Sequence, residues 1–176
     1  LTDEMIRFCK TVSDRIPTAK FLFITPNDFN TIASVAAKCG LPENKLIVQS
    51  AKRHEVPVLL SFSSYSIFFI KPCYSKLASS PTKHGEIMAM GIPVITNSGV
   101  GDVAEIVNSC QAGFVLNNFS PAAYNDLIDK IEQPPPFNSP AIRDGAKKFY
   151  SPETYFAGYK TVYDNIFSYA LTSCPA

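Results

Sequence analysis

The sequence predicts an α/β domain, a Rossmann-like three-layer arrangement built on a parallel sheet of about five strands. Short apolar, β-branched runs alternate with amphipathic stretches of helical period, the pattern of strand–helix units that stack side by side. The runs are apolar throughout rather than alternating, as in strands covered on both faces. Glycine, proline and capping residues punctuate the boundaries between them.

Thr2 is placed to cap a first helix whose opening turn holds Asp3 and Glu4. Met5, Ile6, Phe8, Cys9, Val12 and Ile16 recur at helical spacing, so one face is buried. Phe21 to Thr25 reads as a strand, and Pro26-Asn27-Asp28 as a turn with Asp28 capping a helix through Ile32, Val35, Ala36 and Cys39. Gly40 ends that helix, and Leu41 to Asn44 is a loop. Lys45 to Val48 is a second strand, followed by a polar loop from Gln49 to Arg53. Glu55 to Leu60 makes a short helix that tolerates Pro57 in its first turn.

Tyr65 to Ile70, almost purely apolar, is expected to be a central strand. The long loop Lys71 to Ser79 follows, and loops of that length in compact domains more often serve function than connection. Ser80 suits a helix N-cap, Pro81 the first helical position and Gly91 the C′ position. Ile92 to Thr96 is a buried strand. Gly99 and Gly101 lead into a helix from Asp102 to Cys110, with Glu105 at capping-box spacing from Asp102. Gly113 is expected to break that helix before a last strand, Phe114 to Leu116. Ser120-Pro121 opens a helix through Leu127, Ile128 and Ile131. Pro134 to Pro136 is a stiff spacer dividing residues 1–133 from 134–176, whose helices, Asn138–Tyr150 and Ser151–Ala170, close the same domain.

Composition narrows the function. The net charge of +1 lacks the clustered Lys and Arg of a nucleic-acid footprint. No secretory signal pattern opens the chain. The longest apolar stretch, Val56 to Ile70, is broken by Ser61, Ser63, Ser64 and Ser66 and falls short of the ~20 residues of a membrane span. The five cysteines, Cys9, Cys39, Cys73, Cys110 and Cys174, form no CxxC pair, which favours reduced thiols in a cytoplasmic protein. Cys9 and Cys39 lie on apolar stripes, whereas Cys73 falls in the long loop. No cluster of Asp, His or Cys has metal-ligand spacing.

Two helix N-termini therefore emerge after successive strands, at the sheet edge where open parallel sheets bind ligands and helix starts hold anions. The residues there carry a resemblance. Glu86-Ile-Met-Ala-Met-Gly91-Ile-Pro93-Val-Ile resembles the Glu-Ala-Met-Ala-x-Gly-x-Pro-Val-Ile signature of retaining GT-B glycosyltransferases, group 1. Ser79-Ser-Pro-Thr-Lys83 and Gly99-Val-Gly-Asp102 are similar to a variant in surface-polysaccharide glycosyltransferases. The likeness is specific over about Tyr65 to Gly113 and weaker over Lys20 to Pro57. It also implies a missing element. In that family a first strand, with a glycine-rich loop touching the donor phosphates, lies mid-sheet, and this sequence starts with the helix that would follow it. Either Phe21–Thr25 pairs directly with Tyr65–Ile70, or the gap is filled from elsewhere.

The resemblance implies a donor-binding domain that takes a nucleoside-diphosphate sugar, with no cofactor and no metal. Lys83 and Glu86 are the candidate catalytic residues. Lys83, with Lys76 and the backbone of Ser79, Ser80, Pro81 and Thr82, would meet the diphosphate and sugar; Glu86 would accept from the ribose hydroxyls. Gln49 and Ser50 would present backbone to the base, and Gly99 and Gly101 are secondary phosphate contacts. The alternative for Lys83 and Glu86 is a solvated helical ion pair, worth only ~0.2–0.5 kcal/mol. Gly85, inside the helix at a cost of ~1 kcal/mol relative to alanine, implies that a nucleotide or a neighbouring strand comes close. Many relatives carry a second glutamate, for donor-sugar hydroxyls, where this chain has Ala78. His54 and His84 read as structural before catalytic. No protein general base is visible, which fits transfer driven by stabilising the leaving diphosphate. The acceptor would bind an N-terminal domain absent from this sequence, and the fragment alone would be inactive. Lipid-linked acceptors in such families leave peripheral membrane association of the intact enzyme open. Alternatives of other classes are a nucleotide-sugar 2-epimerase-like domain and a non-enzymatic α/β nucleotide-binding or regulatory module.

Overall fold

The structure is a computed structural model and describes residues 1–26, 29–133 and 137–172. The expected turn and cap at Asn27–Asp28, the spacer Pro134–Pro136 and Cys174 lie outside the described residues. The elements are α1 (Thr2–Arg15), β1 (Phe21–Ile24), α2 (Phe29–Lys38), β2 (Leu46–Gln49), α3 (Val56–Leu60), β3 (Ser66–Ile67), α4 (Thr82–Ala89), β4 (Val94–Asn97), α5 (Val103–Ser109), β5 (Gly113–Leu116), α6 (Pro121–Ile131), α7 (Ser139–Tyr150) and α8 (Pro152–Thr172).

All strand pairing is parallel, in a two-stranded group β1-β2 and a three-stranded group β3-β4-β5. The α/β, Rossmann-like class is therefore as expected. Helices cover both faces. On one face Ile6, Phe8 and Val12 of α1 form a cluster with α2, with Leu127 and Ile128 of α6, and with Phe21, Leu46, Ile95 and Leu116 from both strand groups. On the other, Ile87, Val103 and Val107 bury against Val94, while Met88 of α4 packs with Ile142 and Ala146 of α7. Val94 and Ile95 thus point to opposite layers, and all four residues of β4 are buried.

The expectation of a central strand over Tyr65–Ile70 is corrected: the ladder is only Ser66–Ile67, at the edge of its group. No ladder joins β1 to β3 among the described residues. A strand lengthens by pairing, and among the described residues β3 pairs on one side alone. The N–H groups of Ser66 and Phe68 donate to Pro93 and Ile95, so by the alternation of a parallel ladder Ile67 and Phe69 face away from β4. Thr25 N–H donates to the Gln49 carbonyl, so Leu22 and Ile24 likewise face away from β2. Among the described residues no backbone ladder crosses the notch between the groups, and Phe8 of α1 reaches the Phe69 ring, centroids 6.0 Å apart.

Several boundaries move by one or two residues. Leu1, not Thr2, is the N-cap of α1, without a side-chain cap bond. Gln111, at φ 48°, ends α5 rather than Gly113. Gly113 instead starts β5, where a Cβ would lie 1.9 Å from the Val94 carbonyl oxygen. Ser120 and Asn138 do cap α6 and α7, accepting from Ala123 and Ala141 N–H at 3.2 Å. Among the described residues no helix is long and apolar enough to cross a membrane.

Candidate functional site

Helix α4 starts one residue later than expected. Pro81, with extended backbone, is its N-cap, and no side chain caps it. The Thr82 and Lys83 N–H groups consequently have no protein acceptor among the described residues. Gly91, at φ 72°, ends the helix: its N–H donates to Met88 O at 2.8 Å and Ile92 N–H to Ile87 O at 3.4 Å, a Schellman closure. With α4 so fixed, Lys83 and Glu86 are exposed one turn apart, while His84, Gly85, Ile87 and Met88 face the core. No ion pair joins Lys83 to Glu86 among the described residues, so neither end is engaged in the alternative surface pair. The Glu86 carboxylate stands in solvent rather than embedded among its apolar neighbours.

The loop before α4 is held from below. A short 3-10 turn spans Tyr74–Lys76, and the Lys76 carbonyl accepts from Ser79 N–H at 3.2 Å and Gly101 N–H at 2.9 Å. Gly101, at φ 42°, lies so close that a Cβ would stand 2.0 Å from the Ser79 carbonyl oxygen. A Cβ on Gly99 would meet Pro72 at 3.2 Å. These glycines press against the Pro72–Ser79 loop, and the Gly101 N–H is already taken. Asp102 occupies the N-cap of α5, but its side chain makes no cap bond, so the expected capping box with Glu105 does not form. Cys73 is exposed with its sulfur 3.4 Å from Ser75 Oγ, a hydrogen bond that lowers its thiol pKa.

Gln49 and Ser50 end β2, in the other strand group. The Gln49 amide donates to the Ser50 carbonyl at 3.0 Å, and no hydrogen bond or ion pair links either residue to the α4 group among the described residues. The structure therefore gathers Lys76, Ser79, Ser80, Pro81, Thr82, Lys83, Glu86, Gly99 and Gly101 about one loop and helix start, and leaves Gln49 and Ser50 beyond the notch. Two surface cavities, of about 360 and 370 Å³, lie elsewhere, lined in one case by Asp3, Arg7 and Lys38 and in the other by Ser139, Gly91 and Arg143.

Two residues behind this surface escape the sequence reading. What comes close to Gly85 is neither nucleotide nor strand: a Cβ there would lie 2.6 Å from the Tyr150 ring of α7. Tyr150 OH is 2.8 Å from His84 Nδ1, and the two rings meet edge to face at 5.4 Å. His84 is wholly buried beside Phe68, and its Nε2 has no hydrogen-bond partner among the described residues. Burial lowers the His84 pKa to about 4, against the opposing pull of the Asp102 carboxylate. Burial raises the Tyr150 phenol to about 12. Gly85, a costly residue inside a helix, was the sequence signal for this contact.

Asn97, fully buried at the end of β4, is the second. Its side-chain oxygen accepts from Ile70 N–H and its amide donates to Ile70 O, both at 2.9 Å, and the amide also reaches Ser98 O at 2.9 Å. The amide side chain continues the β3–β4 ladder past its last backbone pair and sets where the Lys71–Ser79 loop departs.

A parallel α/β core thus brings an uncapped helix start, a lysine and a glutamate to its carboxyl edge, the place where open sheets of this kind bind ligands. The profile described as glycosyl transferases group 1 matches residues 2–148, and the chain belongs to that family. No curated protein matches the sequence. Membership makes the chain a glycosyltransferase domain, with a nucleotide sugar and an acceptor as the family's substrates. Among the described residues, no group of His, Cys, Asp and Glu is arranged to hold a metal ion.

Proposed function

We propose that this chain is the donor-binding domain of a retaining GT-B glycosyltransferase that moves a sugar from a nucleoside diphosphate to an acceptor in polysaccharide or glycoconjugate synthesis. The observation that carries the reading is the start of α4: two unclaimed N–H groups, at Thr82 and Lys83, with the exposed Lys83 and Glu86 side chains one turn apart. Oriented N–H groups and the positive helix end favour an anion by about 0.3–2 kcal/mol, and a lysine adds a charge-assisted bond.

The donor diphosphate rests on Ser80 to Lys83, and Glu86 accepts from the ribose diol. Lys76 and Ser79 border the sugar, and backbone at Gln49 and Ser50 meets the base from across the notch. Gly99 and Gly101 serve by shaping the loop that carries Lys76 and Ser79. Positive charge at Lys83 stabilises the diphosphate as it leaves. The acceptor binds a separate N-terminal domain, residues 134–176 close the donor domain, and the reaction takes place on the cytoplasmic side.

Calorimetric titration with UDP, GDP, ADP and their sugars tests this. Glu86→Ala is expected to weaken the nucleotide that binds by about 1.5–3 kcal/mol, the scale of hydrogen bonds to a charged group. Lys83→Met should weaken diphosphate more than nucleoside. A folded Glu86→Ala chain with unchanged affinity would remove the ribose role.

A further inference from the structure

We propose that α8 is a pairing element through which two copies of this chain associate, its aromatic face meeting the same face of a second copy in an antiparallel helix pair. The inference goes beyond the donor-site reading and does not depend on it. The helix runs from Pro152 to Thr172, 21 residues, or about 31 Å at 1.5 Å per residue. Every residue from Pro152 to Ser168 is exposed, and among the described residues none from α8 joins the three core clusters. Yet the sequence is sorted into two faces. Tyr155, Tyr159, Val162 and Ile166 recur at steps of four, three and four, the spacing of a helix–helix seam. Phe156, Tyr163 and Phe167 flank that seam, and the whole apolar stripe fills about 140° of the circumference at 3.6 residues per turn. The charged residues of α8, Glu153, Lys160 and Asp164, lie outside the stripe, where Lys160 pairs with Asp164 at 2.6 Å.

A single chain gives this helix no burial. Tyr, Phe, Val, Thr and Gly158 are weak helix formers, and helices in proteins persist mainly by covering an apolar face. The side chains of the stripe are 45–72 % exposed. At ~150–250 Å² for a whole aromatic residue, covering them removes roughly 600–800 Å² per chain from water. Two such faces together give about 1,200–1,600 Å², the span of a stable specific interface. Composition then chooses the occupant. A membrane surface calls for a row of Lys or Arg on the polar face, and α8 has Lys160 alone. An uncharged, Tyr- and Phe-rich stripe has the make-up of an interface centre, and it is complementary to itself, so a two-fold pair closes without further surface. The antiparallel sense follows from the fold. Helix α7, ending at Tyr150, places the rest of the domain at one end of α8, so parallel helices would crowd two bodies of about 15 Å radius of gyration into one place. Opposed helix dipoles favour the same sense. The seam is symmetric about the point between Val162 and Tyr163. Across that axis Val162 meets Tyr163 of the second copy, Tyr159 meets Ile166, and neither Lys160 nor Asp164 faces a like charge.

Sedimentation equilibrium of the full chain over a range of concentrations reads the association. The expected limiting mass is twice the 19.3 kDa of one chain. Val162→Glu and Val162→Lys should each weaken dimerisation by about tenfold or more, because each sets like charges together in a dry seam. Mixed in equal amounts the two variants should associate again, each lysine meeting a glutamate across the axis. Ala157→Lys, on the opposite face, should leave dimerisation unchanged. Unfolding midpoints show that the variants fold, as α8 lies outside the core clusters. A wild-type chain that stays monomeric overturns the proposal, as does a dimer that Val162→Glu leaves intact. Loss of the dimer in both variants without recovery on mixing overturns the two-fold antiparallel pair, and so does open-ended association. A monomeric chain that sediments with phosphatidylcholine vesicles, and ceases to in Val162→Glu, gives the face to a lipid surface instead.

Discussion

Acid should find this fold at His84. In the unfolded chain the imidazole takes a proton near its ordinary value of 6.5, whereas in the folded protein burial holds it neutral down to about 4. Between those values the unfolded state binds more protons, so stability climbs with pH across the window. It is fully present above about 6.5 and is lost progressively toward about 4. At 1.36 kcal/mol per pK unit, the interval from 6.5 to about 4 amounts to roughly 3 kcal/mol. The groups facing the ring are Tyr150 from α7, neutral throughout the window, and Asp102 at the N-cap of α5, whose negative charge moderates the shift. Against a typical domain stability of about 5–15 kcal/mol this is a large share. His84→Leu deletes the proton-linked part. It also removes the stranded Nε2, at about 1–3 kcal/mol, against roughly 0.5–1.5 kcal/mol for the lost Tyr150 bond. Urea unfolding at several pH values between 7.5 and 4.5, in wild-type and variant, reads the result. The exposed His54 is common to both and cancels. The stability gap between the two chains should widen by about 2 kcal/mol or more as pH falls. Parallel curves at equal m-values would refute a buried neutral imidazole.

Two other substitutions probe the frame of the site. Gly85→Ala gains helix propensity of ~1 kcal/mol, yet its Cβ meets the base of the Tyr150 ring at 2.6 Å, where little can yield. A net loss of about 1–2 kcal/mol is expected, with Tyr150→Ala in the same chain cancelling most of the clash in a double-mutant cycle. Asn97→Ala removes three hydrogen bonds at a buried position and strands the Ile70 backbone. It should cost about 2–4 kcal/mol in chemical denaturation and speed amide exchange at Ile70 ahead of Ile95.

The buried strand at Val94–Asn97 and the glycine stop at Gly91 were legible because each has a local cause: an apolar β-branched run, and a backbone angle that glycine favours. Starts were less so. Ser80 and Thr2 are good capping residues in sequence, but Pro81 and Leu1 take the position, and propensity alone cannot choose between adjacent residues. Tyr65–Ile70 has the composition of a long strand, but pairing depends on neighbours, and one side has none among the described residues. In the site, Lys83 and Glu86 were visible because one helix turn joins them. Tyr150 was not, since it reaches Gly85 and His84 from a distant helix, and only the odd placement of Gly85 hinted at a visitor. Asn97 lies one residue past the predicted strand Ile92–Thr96, and nothing local in sequence shows that its side chain continues the ladder to Ile70.

The parting of the strands between β1 and β3 bears on where motion is stored. Backbone groups at Leu22 and Ile24 on one bank, and at Ile67 and Phe69 on the other, lack the ladder that ties their alternate neighbours. Solvent deuterons should reach those four amides sooner than the amides of Phe23 and Phe68. Among the described residues the two strand groups share a core with α1, α2 and α6 but no backbone ladder, so the molecule has a seam along which, in the proposed donor site, a nucleotide bridging Gln49 and Lys83 would act as a clasp.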